Sequence, residues 1–78
     1  MRMHLYEVTD AKHLQKLLKM LVNVYNYKLN KAQITKEYLK GLQKGKTNLV
    51  IHSSEVCFVN DLEYLELINE LHNKANNI

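Results

Sequence analysis

Proline and tryptophan are absent from this chain, arginine and cysteine occur once each, and glycine occurs twice. Each shortage excludes something. A lone cysteine, Cys57, rules out an intrachain disulfide framework and suits a reducing compartment. The lone arginine, Arg2, argues against base-specific readout of nucleic acid, because arginine makes the commonest bidentate contact to guanine. With no proline and no low-complexity tract, and 46% hydrophobic residues, the chain does not read as disordered. Its longest apolar run is the four residues Val56-Cys57-Phe58-Val59, against the roughly 20 that a membrane span needs. Met1-Arg2-Met3-His4 also lacks the apolar region and small-residue cleavage site of a signal peptide. A cytoplasmic location without membrane contact is the expectation.

Catalytic and metal motifs are equally scarce. Histidines 4, 13, 52 and 72 form no pair at ligand spacing on one helix, and one cysteine cannot complete a zinc set, so neither a metal nor a cofactor is expected. His52-Ser53-Ser54-Glu55 holds the residue types of a hydrolase triad, but neighbouring turn residues point apart. A serine-rich turn with a cross-strand His52–Glu55 pair is the better reading. The chain is therefore expected to be no enzyme and to have no small-molecule substrate. Cys57 has no cationic neighbour in sequence, which fits a packed or interface thiol rather than a nucleophile.

What is present is charge, unevenly placed. Up to Ser54, Arg2 and nine lysines face only Glu7, Asp10 and Glu37, a net +7. Beyond it, Lys74 faces Glu55, Asp61, Glu63, Glu66 and Glu70, a net −4. The overall +3 hides this dipole. Such a molecule suits an acidic macromolecule on its basic side, a copy of itself head to tail, or internal pairing of its acidic and basic helices. The abundance of Lys, Asn, Ile and Tyr suits an AT-rich coding genome, as in a low-GC bacterium or its phages and mobile elements.

At 78 residues there is room for one domain, residues 1–78, whose core should bury about 60–65% of the unfolded surface. His4 to Val8 reads as an opening strand, stopped by Thr9-Asp10 acting as a helix cap. Leu14, Leu17, Leu18, Leu21, Val22 and Tyr25 then recur at helical spacing, and Met20 and Val24 widen the apolar arc. Asn30 is the latest stop for this helix. Thr35 is the expected cap of a second helix, with Ile34 stapled on Leu39 and Gly45 as its left-handed terminator. Gly41 inside that helix marks a close backbone approach.

Thr47 to Asn60 reads as a hairpin turning at Ser53-Ser54, which pairs Ile51 with Val56 and Leu49 with Phe58. Those four residues face the core. Val50, Cys57 and Val59 make the other face half-apolar, a candidate interface. Asn60 and Glu63 form a capping box for a last helix whose buried stripe is expected to be Tyr64, Leu65, Ile68, Leu71 and Ala75. In this reading Leu65 and Ile68 join the core beside Leu14, Leu17, Leu18 and Leu21. The fold class is α+β, in the order β-α-α-β-β-α, with a small antiparallel sheet and helices packed on one face. That order is shared with the eukaryotic-type KH domain, whose backbone clamp needs a GxxG loop between its first two helices. Here the connection is Tyr27-Lys28-Leu29-Asn30-Lys31-Ala32, without glycine. A winged helix would need a fuller helical core before its hairpin.

On the first helix Lys12, Lys16, Lys19, Asn23 and Tyr27 fall on one stripe opposite the apolar face. Lys28 and Lys31 extend it, and Lys36, Lys40 and Lys44 add a side of the second helix. Ammonium groups in a row, with amide and aromatic groups between them, suit a phosphate backbone with bases stacked on tyrosine. The expectation is a small regulatory or inhibitory protein that docks this lysine-rich face on nucleic acid or on an acidic protein that handles nucleic acid. The alternative is a protein–protein module, or a homodimer, using Val50, Cys57 and Val59.

Overall fold

Two five-residue segments, each with β-branched residues among other apolar ones, close a hairpin where the alternation places it. The computed structural model describes residues 3–52 and 55–76. Strands β2 (Asn48–His52) and β3 (Glu55–Val59) pair antiparallel with Ile51 opposite Val56 and Leu49 opposite Phe58, the expected register. Ser53 and Ser54 lie outside the described residues. The opening strand β1 (Met3–Glu7) pairs antiparallel with the other side of β2, setting His4 opposite Ile51 and Tyr6 opposite Leu49. The sheet order is β1-β2-β3, so β2 is central and both its neighbours are edge strands.

Helix α1 (Ala11–Asn23) starts as expected, with the His13 N–H donating to the Asp10 carboxylate at 2.8 Å. It buries Leu14, Leu18 and Leu21 completely. It ends where β-branched and aromatic residues accumulate, and Asn26 takes a left-handed backbone (φ 60°) that turns the chain back. Helix α2 (Lys31–Gly41) begins four residues before Thr35. Its cap is Asn30, whose side chain accepts the Gln33 N–H at 3.2 Å, while Thr35 sits inside the helix and donates to the Lys31 carbonyl at 2.7 Å. Ile34 is buried and Leu39 is 53% exposed, so the two do not staple. Gly41 does mark a close approach: a Cβ there would stand 3.1 Å from both the Cβ and the carbonyl oxygen of Lys46. Gly45, at φ 69°, ends the short 3-10 turn Leu42–Lys44.

The class α+β, the order β-α-α-β-β-α and the small antiparallel sheet are found, but only two of the three helices pack on the expected face. α1 and α2 are those helices. Leu49 and Ile51 meet Leu14, Leu18, Leu21, Ile34 and Tyr38 in the core, with Leu17, Tyr6, Val56 and Phe58 packed around them. Helix α3 (Asp61–Asn76) departs from expectation. Its capping box forms, with the Glu63 N–H donating to Asn60 Oδ1 at 2.8 Å and the Asn60 N–H to Glu63 Oε1 at 3.3 Å. But Leu65, Ile68 and Leu71 are 57%, 39% and 39% exposed and take no part in that core. The side chain of Ala75 lies outside the described residues.

The reason lies in Asn48, which is 2% exposed and alternates with Leu49 onto the opposite face of the sheet, beside Val50. Its amide donates to the Asp61 carboxylate at 2.9 Å and to the Val59 carbonyl at 3.3 Å. One residue separates β3 from α3, so this tie sends the helix across the Asn48–Val50 face, where Leu67 and Tyr64 border the grooves over the sheet.

Leu49→Ala is expected to cost about 3–5 kcal/mol, as for other fully buried leucines, whereas Leu65→Ala is expected to cost less than about 0.5 kcal/mol. Urea unfolding of the two variants measures this. Equal losses would put α3 in the core after all.

Candidate acidic-partner interface

The lysine stripe survives on α1. Lys12, Lys16, Lys19 and Asn23 are all exposed, opposite the buried Leu14, Leu18 and Leu21. At 1.5 Å per residue the three ammonium stems span about 10 Å of helix, comparable to about three phosphate steps of one duplex strand. α2 lies alongside, sharing the core through Ile34 and Tyr38, and the Gln15 side-chain amide donates to Thr35 Oγ1 at 2.8 Å. Lys28, Lys31 and Lys36 are exposed as well. Lys12, Lys16 and Lys19 thus form a basic face on the side of α1 away from its buried leucines, while Lys28 borders a groove over Val56 and Phe58 of β3.

Lys40 and Lys44 turn from that side toward β3. With Lys46 and Glu37 they wall a groove of about 360 Å³ over Val56, Cys57 and Phe58. Lys46 stands outside the sequence-based site. Its place follows from the left-handed Gly45, which folds the chain back so that the Lys46 N–H donates to the Gly41 carbonyl at 2.9 Å. The glycine pair four residues apart is the signal that could have found it.

Tyr27 is not on the stripe. α1 ends at Asn23, four residues short of it, and the chain folds inward so that the Tyr27 N–H donates to the Leu21 carbonyl at 3.1 Å. Its hydroxyl is buried and its ring stands edge-on to His4, centroids 5.5 Å apart, so it does not serve as a free stacking platform. Tyr25 meets the same imidazole edge-on at 4.7 Å, and Tyr6 lies roughly parallel to it at 6.1 Å. This aromatic cluster closes the core beyond the end of α1. Burial first, and then Tyr25 and Tyr27, push the Tyr6 hydroxyl above its usual range.

The half-apolar back of the hairpin is not an open patch. Val50 is 4% exposed and Val59 half-buried, because β2 is the central strand and α3 crosses this face; only Cys57 of the three is exposed. Partial burial, followed by Glu63 and Glu55, pushes the Cys57 thiol up. It stays protonated at neutral pH, unlike an activated nucleophile.

Among the described residues no group of three His, Cys, Asp or Glu could hold a metal ion, and no helix is long and apolar enough to cross a membrane. The chain matches no protein-family model, no curated protein and no solved structure. Its own geometry therefore carries the functional reading.

The Tyr6 shift has a testable consequence. Its pKa is raised in the fold, so its contribution to stability is complete below about pH 10 and is lost as pH rises from there through the folded value. Chemical unfolding at stepped alkaline pH should show the loss, and Tyr6→Phe should flatten it. An unchanged slope in Tyr6→Phe would assign the alkaline loss elsewhere.

Proposed function

We propose that this chain is a small non-enzymatic regulatory or inhibitory protein that docks the outer side of α1 and α2 onto an acidic macromolecule: nucleic acid, or an acidic protein that handles nucleic acid. One observation carries the reading. The acidic helix α3, with Glu63, Glu66 and Glu70, borders the sheet face opposite the one that α1 and α2 cover. The acidic helix and the lysines are therefore separated by the sheet, and the positive potential of Lys12, Lys16, Lys19 and Lys36 is left for a partner.

Contacts from lysine alone favour phosphate or carboxylate recognition over base reading. The competing reading, a homodimer through Val50, Cys57 and Val59, is less well supported because Val50 is already covered within the chain.

Anisotropy with a labelled duplex and a labelled single strand tests this at about 50 and about 200 mM salt. Affinity should fall steeply with salt, with a log–log slope of about −0.9 per neutralised phosphate on duplex. Lys12→Glu, Lys16→Glu and Lys19→Glu together should abolish binding. If neither nucleic acid binds at low salt, the partner is an acidic protein. A pull-down from the source cell that is unchanged by the triple reversal would sink the helical-face reading altogether.

A further inference from the structure

β3 is an edge strand: among the described residues nothing pairs with its outer side. Such an edge carries a row of backbone N–H and C=O groups ready for another strand. Folded proteins usually blunt an edge with proline, lysine or a covering loop. β3, Glu55-Val56-Cys57-Phe58-Val59, has neither proline nor lysine, and its only charge is at its first residue.

Two of the grooves that touch β3 meet at Cys57, one on each face of the sheet. Toward α2, Lys40, Lys44 and Lys46, with Glu37, wall about 360 Å³ floored by Val56 and Phe58. Toward α3, Glu63, Glu66 and Glu70 wall about 450 Å³ that runs from Cys57 and Val59 at the edge over Val50 and His52 to Met3 of β1. Cys57 borders both grooves, so the edge lies between them, and it is exposed. A strand added beside β3 would direct alternate side chains to opposite faces. Every second residue would enter the lysine-walled groove and the intervening ones the glutamate-walled groove.

We propose that the β3 edge binds an extended peptide segment as a fourth strand, and that the segment alternates acidic with basic side chains around an apolar centre. Backbone hydrogen bonds to β3 supply affinity, and the two grooves of opposite sign supply register and selectivity. A second copy of this chain is the wrong occupant. Pairing β3 with its twin would bring each groove beside one of like charge. The site is separate from the helical docking face, because Lys12, Lys16 and Lys19 line neither groove.

The probes are three fluorescent octapeptides sharing a Val-Ile centre, one flanked by alternating Glu and Lys, one by Glu only and one by Lys only. A fourth is the alternating peptide with every second backbone amide methylated. The alternating peptide should bind at least about tenfold more tightly than either single-sign peptide, and methylation should cost it at least about tenfold. Glu66→Lys with Glu70→Lys should weaken the alternating peptide and strengthen the all-Glu one. These positions are exposed, and a circular dichroism spectrum confirms that the variant is folded. The Lys12, Lys16 and Lys19 reversal should leave peptide binding intact even though it removes helical-face docking, so the two surfaces fail independently.

Four results would overturn the proposal. One is no binding of any peptide at about 1 mM, a weak-affinity limit. Another is equal affinity for the all-Glu and alternating peptides, which would leave the lysine groove as an electrostatic site alone. A third is indifference to methylation. The last is a dimer in light scattering that excludes the peptide, which would give the edge to a second copy.

Discussion

Everything in this molecule is placed by the central strand β2. It is hydrogen-bonded on both sides, and four consecutive residues, Asn48 to Ile51, are buried, which requires cover on both faces. Leu49 and Ile51 anchor α1 and α2, while Asn48 and Val50 take the face that α3 crosses. A chain this short buries little surface, so one strand serving two faces is an economical answer to a small core. The polar member of the set, Asn48, is tolerated because its amide is satisfied by Asp61 and Val59.

Much of this was legible because it is local. The hairpin register follows from side-chain alternation, the capping box from Asn60 and Glu63, the start of α1 from Asp10, and the left-handed turn from Gly45. Misreadings arose where two local answers were equally good or where tertiary geometry decided. Asn30 and Thr35 are both competent caps, and the buried Ile34 belongs to the earlier one. The apolar arc of α3 states how wide its greasy face is, but a helical wheel does not say which side of a sheet the helix takes.

The candidate site divides in the same way. Exposure of Lys12, Lys16 and Lys19 follows from helical period alone and was readable. Tyr27 was misplaced because its stripe position assumed four more residues of α1, and the left-handed Asn26 ends that assumption. The groove beside β3 was invisible, because it needs Lys46 folded back on Gly41 and two helices on opposite sides of one edge. What the chain separates in sequence, basic first and acidic last, the fold separates in space with a sheet between.

Asn60 is the whole connection between β3 and α3, and both its backbone N–H and its side chain are held by Glu63. The joint is held at two points. With Asp61 bonded to Asn48 as well, strand and helix form a bent arm tied near its bend. At 1.5 Å per residue the sixteen residues of α3 make that arm about 24 Å long. Because every one of these ties lies at the bend, the angle they set there decides where the far end of α3 lies.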